Sequence, residues 1–168
     1  MKARGITIND AEGVFNVQKR TWLSAYPSEK HGVTREDIEE KFSNKEERIA
    51  KGRNKIEEYG EDRSGWVVEL DGEIVGFSVA HKSKSRDRIG AVYVLPEHQG
   101  RGIGKILLQK ALGFLENSKE VWVEVASYNK NAINFYQKSG FRIVPGAEAN
   151  HEIIEGKLLP TIEMKIVL

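Results

Sequence analysis

The chain contains no cysteine, which excludes disulfides, thiolate metal sites and thiol nucleophiles and suits a reducing compartment. It also lacks a dominant charge. Twenty-six Lys and Arg stand against 25 Asp and Glu, a formal net charge of +1, so nothing in the balance argues for nucleic acid as a partner. There is no apolar run of about 20 residues and no signal-like start, so the expectation is a cytoplasmic protein with no membrane partner. The four histidines, His31, His81, His98 and His151, have no ligand-like spacing and read as surface or loop groups, with no metal implied. Repeats, low-complexity segments and linkers are missing too, and residues 1–168 read as one domain large enough to bury a core.

What is present is concentrated between Ile89 and Leu115. A β-rich run from Ala91 to Leu95 is halted by Pro96. The segment Gln99-Gly-Arg-Gly-Ile-Gly-Lys105 then feeds a stretch whose Ile103, Ile106, Leu107, Ala111, Phe114 and Leu115 recur at helical spacing. Gly100, Gly102 and Gly104 free the backbone for conformations closed to other residues and keep side chains out of the way, so that successive N–H groups can converge on an anion. The positive end of the following helix, with Arg101 and Lys105, adds to that attraction. The segment therefore reads as strand, phosphate loop and helix.

Spacing narrows the ligand. A Walker loop requires Gly-x-x-x-x-Gly-Lys-Ser/Thr, but Gln99 stands five before Gly104 and Ile106 follows Lys105, so no hydroxyl is offered to magnesium. A dinucleotide fingerprint requires Gly-x-Gly-x-x-Gly. The glycines here run Gly-x-Gly-x-Gly, although Glu124 supplies the expected acid about 20 residues on. That pattern is met by half.

Elsewhere, Ile6-Thr-Ile8 reads as a short strand with Asn9 or Asp10 capping a helix through Val14, Phe15, Trp22 and Ala25. Thr34-Arg-Glu-Asp37 matches a capping box, opening a charged helical region through Ile38, Phe42, Ile49 and Ile56. Trp66 to Leu70, Asp71-Gly72 and Glu73 to Ala80 read as a hairpin, and His81 to Arg88 as a basic loop. Val121 to Val125 is a strand, and Asn129 or its neighbour opens a second short helix closed by Gly140. Phe141 to Val144 follows as a strand, Pro145-Gly146 as a turn, then a polar stretch and a closing strand from Ile162 to Leu168. The order implies an α/β fold with a mixed sheet and helices on its faces.

Two motifs together carry a resemblance. Gln99-x-x-Gly102-x-Gly104 resembles the acyl-CoA pyrophosphate loop of the GCN5-related N-acetyltransferases, the GNAT superfamily. One helix and one strand later, Asn129-Lys-Asn-Ala-Ile-Asn-Phe-Tyr-Gln-Lys-Ser-Gly-Phe141 resembles the pattern in which an Asn and an Ala lead to an aromatic-Tyr pair and a terminal Gly-Phe. The resemblance implies the acyl-CoA N-acyltransferase fold, a mostly antiparallel sheet of about seven strands. It also implies acetyl-CoA as co-substrate, no metal, and direct attack by a small primary amine in a ternary complex. Position by position, it implies that backbone groups of Val92, Tyr93 and Val94 hold the pantetheine arm and acetyl carbonyl, beside a bulge that splays this strand from the one at Val121. Gln99, Gly100, Arg101, Gly102, Ile103, Gly104 and Lys105 bind the pyrophosphate, Asn129 contacts the cofactor, and Tyr136 lies by the thioester sulfur as the catalytic acid. Lys82, Lys84, Arg86 and Arg88 are either a solvated loop or partners of the CoA 3′-phosphate. A homodimer is compatible with this reading.

The family's usual glutamate base corresponds to Gly90, which leaves Glu124, Glu69 and His81 as candidates. Trp22, Tyr26, Glu29, Glu36, Asp37, Glu39 and Glu40 are either an aromatic and acidic mouth for a cationic amine or an amphipathic helix with a solvated side. The chain length and the tail from Ser139 to Leu168 look similar to PaiA-type polyamine acetyltransferases, which points to spermidine or spermine as acceptor. A protein N-terminus or lysine, or a non-catalytic acyl-CoA-binding module, are the alternatives.

Overall fold

The computed structural model describes residues 2–154 and 156–168. Strand β1 (Ala3–Gly5) leads through a 3-10 turn into α1 (Ala11–Ala25), α2 (Arg35–Lys41) and α3 (Lys45–Glu57). Strands β2 (Arg63–Leu70), β3 (Glu73–His81) and β4 (Asp87–Val94) form a meander. After it come α4 (Ile103–Phe114), β5 (Glu120–Ala126), α5 (Lys130–Lys138), β6 (Arg142–Ile154) and β7 (Lys157–Val167). The seven strands make one sheet in the order β1-β2-β3-β4-β5-β7-β6. Every pairing is antiparallel except the parallel contact of β4 with β5.

Helices cover both faces because the strands alternate their side chains across the sheet. Gly76 and Ser78 face α4, where the Ser78 hydroxyl donates to the Leu107 carbonyl (3.1 Å). Phe77 points to the other face, against Tyr93, whose hydroxyl reaches Trp22 of α1. One cluster joins Leu108, Ala111 and Leu115 of α4 to Val121, Val123, Tyr136, Phe141 and Met164. A second, on the α1 side, joins Phe15, Ile38, Phe42 and Ile49 to Ala126 and Leu159. Among the described residues, no helix is long and apolar enough to cross a membrane.

Several boundaries differ from the sequence reading: β3 runs to His81 and β4 begins at Asp87, which shortens the basic loop at both ends, and β7 begins at Lys157, ahead of Ile162. The first strand is Ala3–Gly5, and Ile8 begins a 3-10 turn, because the Asp10 carboxylate accepts from the Thr7 N–H (2.8 Å) and bends the chain there. The charged helical region is two helices, broken at Ser43 and Asn44. Pro145-Gly146 is not a turn: β6 runs on to Ile154 with a register shift between Ile143 and Glu148. An outer strand tolerates that bulge, since proline's missing N–H costs no ladder bond at an edge.

Candidate active site

The β4–β5 pair is where the sheet opens. The two strands are joined only at Asp87 with Val121 and Arg88 with Trp122, and beyond that point they diverge. Gly90 is the cause: Val79 opposes Ala91 while Ala80 opposes Ile89, so Gly90 is an extra residue in β4, and a bulge of this kind bends and twists its strand. The closed end of the gap is held by Arg86 and Arg88, which both bind Glu163 of β7, and by the Ser118 hydroxyl donating to Asp87 (2.6 Å).

Ladder phase decides which β4 groups face the gap. Leu95 N–H donates to Val75 O (2.9 Å), and bonded pairs alternate along an antiparallel ladder. Tyr93 therefore spends its backbone groups on Phe77 of β3, while those of Val92 and Val94 point outward. Of the three expected backbone contacts, Tyr93 contributes a side chain instead. Its hydroxyl accepts from Trp22 Nε1 (3.3 Å). Tyr128 donates to the Tyr26 carbonyl (3.0 Å) and stacks on His31 at 5.0 Å. Sequence reasoning missed Tyr128, although it immediately precedes the second motif.

The loop after β4 is latched by Gln99, whose Nε2 donates to the Val94 carbonyl (3.0 Å). Gly100 and Gly102 take φ of +74° and +83°, the left-handed region that favours glycine. Among the described residues, the N–H groups of residues 100–105 have no acceptor; the first helical bond of α4 is Ile106 N–H to Gly102 O (3.1 Å). Arg101 and Lys105 are exposed beside them, and Ile103 is buried, so it offers only its N–H. Gly104 departs from the expectation that all three glycines shape the loop. Its φ is not positive, and a Cβ there would lie 3.2 Å from the Phe135 ring, so its role is to let α5 approach α4.

Helix α5 completes the constellation. Asn129 Oδ1 accepts from Ala132 N–H (3.1 Å) as a cap, which leaves its amide nitrogen to face other partners. Gly140, at φ +96°, ends the helix, and Phe141 is buried. Tyr136 is 7% exposed, with its ring edge-on to Phe135 and Phe141 at 5.1 and 5.3 Å. Burial, and then proximity to Tyr93, push its phenol well above the usual tyrosine range. It is protonated at neutral pH.

The three base candidates separate cleanly. Glu69 is tied to Arg4 (2.8 Å) at the β1 edge, away from the gap. His81 fills the space over Gly90, where a Cβ would fall 2.8 Å from Nε2. Its Nδ1 accepts from Arg63 Nε (2.8 Å), and burial followed by Arg63 lowers its pKa, so its lone pair is already engaged. Glu124 lies on the gap-lining strand, on the same face as Trp122, and pairs with His151 Nε2 at 2.9 Å. His151, read from sequence as a plain surface group, was missed as its partner.

One acid of the expected mouth is engaged and the others face solvent. Lys157 and then Thr34 hold the Asp37 carboxyl down to about 2, while Glu29, Glu36, Glu39 and Glu40 are exposed. Lys41 lies 5.4 Å from the Trp22 ring centroid, occupying an aromatic face expected to receive a substrate cation. The basic loop is also remote from the glycine loop. Lys82 sits over Phe114, at the far end of α4, about 17 Å along a helix of that length.

Comparison with known proteins agrees with this architecture. The chain is 36% identical over 86 residues to the peptidyl-lysine N-acetyltransferase YiaC of Escherichia coli, covering 51% of this chain and 55% of YiaC. It is 23% identical over 141 residues to the spermidine N(1)-acetyltransferase of Vibrio cholerae, covering 82% and 76%. The chain spans about half the length of YiaC and of other curated relatives it matches. Its fold is similar to the PaiA N-acetyltransferase of Thermoplasma acidophilum, crystallised with coenzyme A, at a TM-score of 0.67 and 21% identity over 99% of this chain and 98% of that one. The model of the acetyltransferase (GNAT) family matches residues 17–141, a span that runs from α1 through the open strand pair, the glycine loop and Tyr136, and the chain belongs to that family.

Proposed function

We propose that the chain is an acetyl-CoA-dependent N-acetyltransferase acting on a primary amine. The observation that carries the reading is the run of N–H groups at residues 100–105 without acceptors, set beside a gap in the sheet. A pyrophosphate is the ligand whose charge and oxygen count suit such an array. Gln99 to Lys105 hold it, and the outward backbone groups of Val92 and the outward N–H of Val94 take the pantetheine and the acetyl carbonyl. The amide nitrogen of Asn129 contacts the cofactor.

The amine approaches between Gly90 and Glu124 on the α1 face. Glu124, oriented by His151, takes the ammonium proton, and the neutral amine attacks the thioester carbonyl. A C–N bond forms as the C–S bond breaks, an N–H aimed into the gap stabilises the oxyanion, and Tyr136 protonates the departing thiolate and regains a proton from the attacking nitrogen, which sheds its second proton as it becomes the amide. A phenol held above its usual range gives up its proton less readily, so its value lies in position and in being fully protonated at neutral pH.

A polyamine acceptor is supported by the tail and by the spermidine-acetylating relative. A peptide amine is favoured by a different observation: Asp37, one of the acids that were to receive a polycation, is engaged by Lys157, and a lysine stands on Trp22. The test is CoA release from acetyl-CoA against spermidine, spermine, diamines, amino acids and peptides. Turnover that falls at least tenfold in both Glu124→Gln and Tyr136→Phe, with acetyl-CoA still bound, is the expected result. Tight acetyl-CoA binding with no amine acetylated would leave a binding module.

A further inference from the structure

Strand register places one line of side chains across six adjacent strands. Arg63 opposes His81, His81 opposes Arg88, Arg88 opposes Trp122, Trp122 opposes Lys165, and Lys165 opposes Arg142. Directly opposed residues point to the same face, and the line extends about 24 Å at about 4.8 Å per strand. Arg86 joins it, with its guanidinium 4.3 Å from the Trp122 ring centroid. Helix α1 packs higher on this face, near Phe77 and Tyr93, and the side chains of Arg86, Arg88 and Lys165 keep 47%, 37% and 35% of their exposure.

The line is under-compensated. Arg86 and Arg88 share the one carboxylate of Glu163, and Lys165 has Glu120. Arg63 faces an imidazole kept neutral by burial and by Arg63 itself. Arg142 has no carboxylate among the described residues. Five cations thus meet two anions, in a protein whose overall charge is nearly balanced.

We propose that this basic line is a docking surface for the acceptor, and that the acceptor is a peptide amine accompanied by Asp or Glu two to three residues away. The proposal rests on the transferase reading and names its substrate class. Gly90 and Glu124 lie two residues along their strands from Arg88 and Trp122, about 7 Å. An extended peptide with its amine in the gap covers that distance in two to three residues, at about 3.3 Å each. Its carboxylates then reach Arg88 and Arg86, and later ones reach Arg63 or the Lys165 and Arg142 end. A polyamine would bring cations to cations. A nucleic acid would set its phosphates against Glu163 and Glu124, which sit on the same face.

The experiment uses the full chain with acetyl-CoA and three peptides that differ only in having Glu, Gln or Lys two to three residues from the acceptor amine. Spermidine is a fourth acceptor and an RNA oligonucleotide a competitor. The Glu peptide is expected to exceed the Gln peptide about tenfold in kcat/KM, as two or three exposed pairs acting together supply. The Lys peptide falls below both, and the Glu advantage shrinks as salt rises from about 50 to about 500 mM. Lys165→Gln combined with Arg142→Gln, both away from the gap, cuts that advantage to about threefold or less by raising KM, with kcat and Gln-peptide turnover held. Arg142→Gln alone, at the exposed edge strand, does so in part and guards against misfolding of the double variant. Equal turnover of Glu and Gln peptides, preference for spermidine, or RNA competing as well as the Glu peptide would each overturn the docking surface while leaving the transferase standing. No turnover of any acceptor would remove both.

Discussion

Helices α4 and α5 each follow a strand that lines the open gap, yet their N-termini are finished in opposite ways. Helix α5 caps itself: Asn129 accepts from Ala132 N–H, and the motif closes with Gly140 and the buried Phe141. Helix α4 begins at Gly102 with no side-chain cap and no acid in its first turn, and the N–H groups before it lack acceptors among the described residues. A capped end adds stability and is chemically quiet, whereas an uncapped one retains the positive end of the dipole for a ligand. The proposed function divides its labour accordingly, with α4 as the binding element and α5 as the one that positions Tyr136.

The largest break in that comparison should come from Gly102→Asp. It places a carboxylate at the open N-terminus, where φ is +83°, and acetyl-CoA affinity by calorimetry should fall at least about 100-fold from repulsion and lost N–H contacts. An affinity within threefold of wild type would remove α4 as the anion site. Next, Tyr136→Phe should lower kcat about 10- to 100-fold and leave acetyl-CoA affinity within about twofold. An unchanged kcat would reduce α5 to scaffold.

Smaller effects sharpen the contrast. Asn129→Ala removes a cap at a cost of about 1 kcal/mol, so Tm should drop by about 2–4 °C, with acetyl-CoA binding weakened only modestly; no thermal change would mean the cap is idle. Gly104→Ala presses a methyl toward Phe135, and it should cost about 1 kcal/mol of stability while leaving affinity within about threefold, unlike Gly102→Asp. Loss of binding in Gly104→Ala would mean that the closeness of α5 to α4, and not only the Gly104 N–H, is needed for the loop to bind. Last comes pH. Tyr136 has a folded pKa raised above its ordinary 10.0, so its contribution to stability is complete below about pH 10 and is lost as pH rises through the higher folded value. Chemical denaturation of wild type and Tyr136→Phe from pH 8 to 11 should show a steeper alkaline decline in wild type, and parallel profiles would contradict the burial of that phenol.

The two motifs were legible because their residues act through local backbone chemistry. Left-handed glycines at 100 and 102, an Asn cap and a Gly stop are demands that a short stretch of chain makes on itself, and each was read at its correct place. The element order, and with it the mixed sheet, followed from periodicity that changes from 3.6 to 2 along the chain. What only the folded chain decided involves partners far apart in sequence. Gly104 makes room for Phe135, His81 fills the space left by Gly90, His151 turns Glu124 into one half of a pair, and Lys157 reaches Asp37. The basic line from Arg63 to Arg142 exists only through strand register. Local spacing dictates what one segment can do, while the charge and shape offered to an acceptor come from which segments the sheet sets side by side.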